Sequence, residues 1–279
     1  MNKSKLNLNN YITRIAPTPS GFLHLGNLFN FALTYAITKS LNGTVNLRID
    51  NLDIKRVRKE YVQDIFAKLQ LLEVFPDNLI HDTDEYLQIS QKNLNMYKDY
   101  LKMIPSNLIF VCACTRSDLK KHSQYPGTCI NKNLKYIPNK NSIKTLPNDE
   151  NREPIVLWTK ENVPSYQLQS IVDDIEAGTN LIIRGQDLRS STLAQKHIAK
   201  LLGNNSFENI KFIHHKLLTN NGIKISKSTL ANNSPLNIDK LEFFNKFSSF
   251  FNLKRNLNSM KECISYFQDY PEFFEAHLD

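Results

Sequence analysis

Hydrophobic residues in the first fifty positions form two strand-like runs with a helical stripe between them. The runs Tyr11–Ile15 and Thr44–Ile49 are short and apolar, which predicts two strands. The stripe repeats every three or four positions and consists of Leu25, Leu28, Phe29, Ala32, Leu33, Ala36, Ile37 and Leu41. It predicts one amphipathic helix, closed by Asn42-Gly43. A strand, a helix and a strand in this order predict a βαβ unit with parallel pairing and a right-handed crossover.

Similar patterns recur along the rest of the chain. Further helices are predicted at Ile65–Leu72, Leu94–Ile104, Leu193–Leu202 and the phenylalanine-rich stretch Phe243–Phe251, whose aromatic side chains we expect to pack against the core. Regular patterning resumes at Ile155–Trp158, and further strands are predicted at Leu108–Val111, Asn180–Ile183 and Ile210–Ile213. The last of these is expected to be the final strand before a loop at Lys224. Residues Asn131–Arg152 are rich in Asn, Lys and Pro with little periodicity, which predicts a loop or poor order.

The order of elements predicts an α/β fold: a Rossmann-like, doubly wound parallel sheet split by an insertion, with a short helical C-terminal tail. We expect the first half of a nucleotide-binding domain at 1–103, the insertion at 104–164, the second half at 165–215, and a lysine loop with the tail at 216–279. Ligands of such sheets bind beyond the carboxyl ends of the strands. The polar stretch Arg48–Asp53 follows the second strand at that edge.

Composition and charge bear on the class of partner and on the compartment of the protein. The 279-residue chain has 35 Lys and Arg against 27 Asp and Glu, a net charge of +8 and a pI near 9.2. This charge fits a polyanionic partner and fits a solvated basic surface equally well. No apolar run is long enough for a membrane span, and the N-terminus has no signal-peptide core. We therefore expect a cytoplasmic monomer in which the four cysteines do not form disulfides.

Two short segments carry the chemistry. Pro17–Asn27 predicts a strand end, a Pro/Gly turn and a helix that opens at His24 and Gly26, and such a helix N-terminus binds phosphate. Lys224–Ser228, with the sequence KISKS, is a lysine-flanked loop whose ammonium groups can follow phosphate charge. Both are needed when the α-phosphate of a nucleotide is attacked and pyrophosphate leaves.

These segments resemble the HIGH and KMSKS motifs of class I aminoacyl-tRNA synthetases, with His24–Asn27 in the first motif and Lys224–Ser228 in the second. The stretch Arg14–Gly21 narrows the resemblance to the glutamyl/glutaminyl branch. The resemblance implies catalytic roles for His24, Lys227 and Lys224. It implies an ATP site, with Mg²⁺ accompanying ATP, made by Pro17, Thr18, His24, Gly26, Asn27 and Lys227.

An amino-acid pocket is predicted at the strand ends. Arg14 and Arg184 have the fork geometry that binds carboxylates, Tyr166 can pack along a substrate stem, and Asp50 can accept from an ammonium group. The resemblance, here to glutamyl-queuosine tRNA(Asp) synthetases, implies that L-glutamate is bound by Arg14, Ile15, Ala16, Pro17, Thr18, Asp50, Tyr166 and Arg184. These synthetases usually have Glu at the position of Asp50.

Three cysteines lie close together in the predicted insertion. Cys112, Cys114 and Cys129 in a reducing compartment suggest a zinc site, with incidental thiols as an equally good explanation. His122 is the conventional fourth ligand. The resemblance instead implies the pattern Cys-x-Cys then Tyr-x-x-x-Cys, with Tyr125 as the fourth ligand of a structural zinc ion.

The resemblance implies an overall reaction. Glutamate and ATP would form glutamyl-adenylate with release of pyrophosphate, and glutamate would pass to queuosine at the wobble position of tRNA(Asp). Only 51 residues follow Ser228, so we expect no anticodon-binding domain. Two alternatives remain: a reduced glutamyl-tRNA synthetase that charges the terminal adenosine, and a non-catalytic RNA-binding paralogue.

Overall fold

The computed structural model describes residues 10–51, 55–80, 91–148, 153–220, 223–224 and 234–275. Their strands and helices follow one another in this order: β1 Ile12–Ile15, α1 Leu25–Ser40, β2 Thr44–Leu47, α2 Lys59–Leu71, β3 Asn78–Leu79, α3 Gln91–Met103, β4 Ile109–Cys112, α4 Arg116–Leu119, β5 Ser142–Thr145, β6 Val156–Trp158, α5 Tyr166–Glu176, β7 Leu181–Gly185, α6 Arg189–Leu201, α7 Asn205–Glu208, β8 Lys211–His215, β9 Thr219–Asn220, β10 Ile223–Lys224, α8 Lys240–Phe250, α9 Met260–Asp269 and α10 Glu272–Glu275.

The elements divide between two compact units. The first unit contains β1 to β3, β7 to β10, α1, α2 and α8 to α10, and the second contains β4 to β6 and α3 to α7. In the first unit β1, β2 and β3 pair in parallel, and β7 pairs in parallel with β8. The start of β7 is tied to the start of β1, because Asn180 N–H donates to the Ile12 carbonyl at 2.9 Å. The predicted βαβ unit and its parallel pairing are confirmed.

Helix α1 lies at the centre of the first unit. Its apolar stripe is buried, and Asn42, just beyond its end, has a φ of 55°, the left-handed conformation that the predicted Asn-Gly closure needs. Phe29 of α1 contacts three rings of α8, with centroid distances of 5.0 to 5.8 Å, and the partner rings are Phe243, Phe247 and Phe250. The prediction that the α8 phenylalanines serve packing is confirmed.

The second unit is built around an antiparallel sheet in the order β4-β5-β6. Strand β5 lies inside Asn131–Arg152, so the prediction of a loop or poor order there is wrong for Ser142–Thr145. Four residues are too few to show a periodicity, and the strand is held by hydrogen bonds to neighbours on both sides. A buried bond from Tyr97 Oη to Asp173 Oδ1, at 2.7 Å, fastens α3 to α5.

The chain after β8 differs from the sequence prediction. Strands β9 and β10 form a small antiparallel hairpin, so β8 is not the final strand before Lys224. Lys224 itself is in β10, where it pairs with Thr219, and not in a loop. Residues 225–233, which include Lys227 and the rest of the KISKS segment, lie outside the described residues.

Among the described residues, none of the helices has the length and apolar character needed to cross a membrane.

Candidate active site and metal centre

His24 forms the N-cap of α1. Its Nδ1 accepts from the Asn27 N–H at 3.3 Å, and its own N–H donates to Asn27 Oδ1 at 3.2 Å. These reciprocal bonds are a capping box, here with Asn in the place that Glu or Gln usually takes. Because Nδ1 is an acceptor, the neutral ring carries its proton on Nε2. The cap therefore leaves His24 with a donor nitrogen at the start of the helix.

The first turn of α1 suits an approaching anion. It contains no acidic residue, and the amide groups at the start of a helix have no partner within the helix. Gly26 lies beneath the His24 ring, and a Cβ at position 26 would lie 3.1 Å from His24 Cε1 and 3.2 Å from Nδ1. A larger residue there would require the imidazole to shift by a few tenths of an ångström.

The carboxyl ends of β1 and β2 lie side by side, and the backbone bonds between them continue just beyond the paired residues. The Arg48 N–H donates to the Ile15 carbonyl at 2.9 Å, and the Asp50 N–H donates to the Pro17 carbonyl at 3.0 Å. Pro17 is buried, whereas Thr18 and Ala16 are half-buried. The predicted residues of the Arg14–Thr18 stretch and Asp50 therefore meet at one edge of the parallel sheet.

Asp50 is already paired with a cation from its own strand end. Arg48 Nε lies 2.7 Å from Asp50 Oδ1, and Arg48 Nη2 lies 3.4 Å from Oδ2. The two side chains are only 1% and 7% exposed. Sequence reasoning assigned Arg48 no site role, although the Arg-x-Asp spacing puts both side chains on one face of a strand. Asp50 can offer a remaining lone pair to a ligand while Arg48 fixes its orientation.

Two buried arginines come from neighbouring strands of the first unit. Arg14 of β1 is 8% exposed and Arg184 of β7 is 4% exposed. The Arg184 guanidinium lies 5.0 Å from the centroid of the Phe212 ring, a cation–π contact that keeps it in place. Guanidinium groups bind carboxylates with a planar fork of donors, so both arginines have the chemistry that a dicarboxylate ligand needs.

Other predicted site residues are not brought together by the described part of the first unit. Tyr166 begins α5 in the second unit, after the N-cap Ser165, and its side chain is 43% exposed. Lys224 is described through its backbone pairing in β10, and Lys227 lies outside the described residues. The convergence of His24 and Lys227 on one triphosphate stays a prediction.

A buried polar contact joins α1 to both strands of the β7–β8 pair. The Asn30 amide donates to the Ile183 carbonyl at 3.1 Å and lies 3.1 Å from His215 Nε2. His215 Nδ1 lies 2.7 Å from the Lys216 carbonyl, so Nδ1 is the donor and Nε2 accepts from Asn30. Burial lowers the pKa of His215, which favours this neutral form. The pair joins positions far apart in the chain, and no local pattern marks it.

The three clustered cysteines of the second unit converge. The Sγ atoms of Cys112, Cys114 and Cys129 lie within 4.8 Å of one another, and the Cys114 and Cys129 sulfurs are 3.6 Å apart. Tyr125 Oη lies 3.6 Å from Cys112 Sγ. A tetrahedral zinc ion with Zn–S bonds of about 2.3 Å separates its sulfurs by about 3.8 Å. His122 is exposed and does not belong to this group.

The chemistry of these donors also fits a cation. Burial, together with hydrogen bonds from the neighbouring thiols, raises the pKa of Cys114 to about 11, and burial with a bond to Cys112 raises the pKa of Tyr125. The Tyr125 oxygen accepts from the Cys129 N–H at 3.1 Å, and Lys144 Nζ lies 5.3 Å from the centroid of its ring. Deprotonated donors at this spacing need a positive ion among them.

Known proteins resemble this chain. A family model described as "tRNA synthetases class I (E and Q), catalytic domain" matches residues 11–145. A glutamyl-Q tRNA(Asp) synthetase of Vibrio parahaemolyticus is 28% identical over 79% of this chain and 78% of its own length. One of Acinetobacter baylyi is 29% identical over the same shares. A glutamate–tRNA ligase 2 of Ehrlichia ruminantium is 30% identical over 79% of this chain and 51% of its own.

Solved structures share the fold. A glutamate tRNA ligase from Elizabethkingia meningosepticum, solved in complex with its amino acid, superposes with a TM-score of 0.67 at 19% identity. The superposition covers 92% of this chain and 64% of that one. The glutamate-tRNA synthetase of Elizabethkingia anophelis gives a TM-score of 0.63 at 19% identity, over 79% of this chain and 53% of that one. The described elements thus have the class I synthetase arrangement of helices on a parallel sheet.

Proposed function

We propose a function from the premise that the chain belongs to the class I aminoacyl-tRNA synthetases of the glutamyl and glutaminyl type. The protein binds ATP and L-glutamate and joins them into glutamyl-adenylate with release of pyrophosphate. It then transfers glutamate to tRNA. The observation that carries the proposal is the His24 cap, which places the Nε2–H donor at the N-terminus of α1, the helix that follows β1 in the βαβ unit.

Catalysis in this proposal consists of positioning and charge stabilisation. The glutamate α-carboxylate attacks the α-phosphate of ATP in line, and the bond to the β-phosphate breaks as pyrophosphate leaves. His24 Nε2–H donates to phosphate oxygens as negative charge develops, aided by the first-turn amides of α1. Lys227 and Lys224 hold the leaving phosphates. Mg²⁺ arrives with ATP and neutralises part of the triphosphate charge.

Glutamate is held by the charged groups at the strand ends. Arg14 and Arg184 bind its carboxylates. Asp50, oriented by Arg48 at 2.7 Å, accepts from the α-ammonium. Ile15, Ala16, Pro17 and Thr18 supply the backbone of the pocket, and Thr18 with Pro17, Gly26 and Asn27 borders ATP.

A structural zinc ion completes the second unit. It would be held by Cys112, Cys114, Cys129 and Tyr125. Its role would be to cross-link a loop region that has only a small core. The spacing of the three sulfurs and the Tyr125 oxygen supports this assignment.

The acceptor is proposed to be queuosine in tRNA(Asp). Support comes from the similarity to glutamyl-Q tRNA(Asp) synthetases, which extends over 78% of their length in two of the relatives. The similarity to a glutamate–tRNA ligase at 30% identity favours a second candidate, transfer to the terminal adenosine.

Pyrophosphate exchange tests the activation step and the role of His24. We expect exchange with glutamate and little with aspartate or glutamine. His24→Asn keeps a good N-cap but replaces the Nε2–H donor by an amide on a shorter side chain, which does not extend as far as the imidazole Nε2, so it separates the two roles. Its kcat is expected to fall by roughly 10²–10³ with little change in stability. Exchange by His24→Asn at the wild-type rate would remove the catalytic role.

A transfer assay separates the acceptors. Labelled glutamate is offered with tRNA(Asp) that contains queuosine, the same tRNA without queuosine, and queuosine-containing tRNA(Asp) from which the terminal adenosine has been removed. We expect labelling of the first and third. Labelling that requires the terminal adenosine and ignores queuosine supports the second candidate instead. Activation without either transfer contradicts both.

A further inference from the structure

Helix α2 carries two sheltered charges one turn apart. The side chains of Asp64 and Lys68 are 4% and 12% exposed, and Lys68 Nζ lies 3.7 Å from Asp64 Oδ1. Charges removed from water to this degree need additional hydrogen bonds to remain favourable. Both have them, and in each case the partner belongs to the backbone of another segment.

The two backbone partners are far apart in sequence. Asp64 Oδ2 accepts from the Leu23 N–H at 2.9 Å, and Leu23 directly precedes the His24 cap. Lys68 Nζ donates to the Leu236 carbonyl at 2.6 Å, and Leu236 follows the 225–233 segment in the chain. One ion pair therefore connects Leu23, just before α1, with Leu236, which follows residues 225–233 in the sequence.

The chain that leads into that segment is also tied to α1. Asn30 bonds to His215 at the end of β8, and a Cβ at position 26 would lie 4.0 Å from the Leu218 Cβ. The chain before residues 225–233 thus contacts the first two turns of α1 directly, and the chain after them is connected through α2 to Leu23, just before α1.

We propose that Asp64 and Lys68 are positioning residues for the activation reaction. They hold the chain at Leu236 in a fixed position relative to the His24 cap. The proposal rests on the proposed function. The pair touches neither ATP nor glutamate. It acts through Leu23 and Leu236, and it lowers the barrier by holding the backbone directly before His24 in position at the N-terminus of α1.

A neighbouring ion pair provides a matched control. Lys240, at the start of α8, lies 2.5 Å from Glu73, two residues beyond the end of α2, so it joins the chain just after α2 to the chain just after Leu236. Its side chain is 39% exposed, and its partner Glu73 is 40% exposed. No hydrogen bond among the described residues joins this pair to Leu23. Loss of the Lys240–Glu73 pair therefore leaves the link between Leu236 and the His24 cap intact.

The experiment compares the wild-type protein with Lys68→Met, Lys68→Arg and Lys240→Met in glutamate-dependent pyrophosphate exchange, with Tm measured for each. We expect Lys68→Met to lower kcat roughly tenfold with KM for glutamate nearly unchanged, because positioning in the transition state is lost. Lys68→Arg should restore most of kcat, since its guanidinium can reach the same carbonyl. Lys240→Met should keep the wild-type kcat.

Hydrogen exchange measured by mass spectrometry gives a second reading that does not depend on activity. In Lys68→Met, peptides that contain Leu23 and peptides that contain Leu236 should both exchange faster, whereas Lys240→Met should leave Leu23 unchanged. Equal kcat for Lys68→Met and Lys240→Met, or a change in Tm alone, overturns the proposal. If the wild-type protein shows no glutamate-dependent pyrophosphate exchange, the proposed function fails. The structural link between Leu236 and Leu23 is then tested by hydrogen exchange alone, and it is refuted if Lys68→Met does not accelerate hydrogen exchange at Leu23.

Discussion

Replacing Arg48 with methionine is expected to destabilise the protein by about 3–5 kcal/mol, because the Asp50 carboxylate then stays buried without its cation. Arg48 is 1% exposed and Asp50 is 7% exposed, and their closest atoms are 2.7 Å apart. Methionine replaces much of the apolar stem of arginine, so lost packing contributes little. The effect should come mainly from lost polar contacts of the guanidinium, and the unpaired Asp50 charge is the part that a second substitution can isolate.

A second substitution tests this explanation. Asp50→Asn removes the negative charge and keeps the shape of the side chain. In the wild-type background it breaks the ion pair and destabilises the fold. In the Arg48→Met background it removes the unpaired charge, so it should restore about 1–3 kcal/mol, the difference between burying an ion and burying a poorly bonded amide.

Urea unfolding followed by circular dichroism at pH 7 measures all four proteins of this cycle. For a chain of this size, the loss in Arg48→Met corresponds to a fall in Tm of roughly 10 °C. The decisive result is the sign of the Asp50→Asn effect in the two backgrounds. If Asp50→Asn destabilises Arg48→Met as much as it destabilises the wild type, the pair does not balance buried charge and the reasoning is refuted.

Three further predictions concern other parts of the molecule. Because burial lowers the pKa of His215 from its ordinary 6.5, its contribution to stability is fully present above that pH and is lost as the pH falls below it; urea unfolding at several pH values should show this slope, and His215→Gln should reduce it. Tyr125→Phe should weaken zinc binding roughly tenfold or more in a chelator competition, whereas His122→Ala should not, and the reverse result would make His122 the ligand. Asn27→Ala should lower the free energy of unfolding by about 1 kcal/mol and also slow pyrophosphate exchange, because the His24 backbone N–H loses its bond to Asn27 Oδ1 and the residue that carries the ring is held less firmly; unchanged exchange would contradict the link between cap and catalysis.

The sequence predicted the elements whose signals are long or repeated. Helix α1 shows four turns of apolar stripe and an Asn-Gly closure, so its presence and its place in a βαβ unit could be inferred without coordinates. The cysteine cluster could be inferred because its members lie close in the chain. In both cases the pattern involves residues that are close in the sequence, and these residues are also close in the structure.

Short elements and long-range contacts could not be predicted. Strand β5 has only four residues within a polar stretch, and it is a strand because β4 and β6 lie on either side. The bond between Lys68 and the Leu236 carbonyl joins positions 168 residues apart, and the Asn30 contact with His215 joins positions 185 apart. A lysine or an asparagine on a helix gives no sign of such a partner, since most are solvated.

The candidate site shows the same division. The motif residues could be named from the chain, because strand ends and helix starts meet at one edge of a parallel sheet. The groups that orient them could not. Arg48 holds Asp50 and Asp64 holds the backbone before His24, and these supporting contacts depend on the packed core.

Glutamate-dependent exchange between ATP and labelled pyrophosphate tests the central claim most directly, with the wild-type protein and Lys227→Ala measured side by side. We predict that the wild type incorporates label only when glutamate is present, and that Lys227→Ala stays folded and loses most of this exchange. A folded wild-type protein that incorporates no label with glutamate, or a Lys227→Ala variant that exchanges at the wild-type rate, would contradict the account.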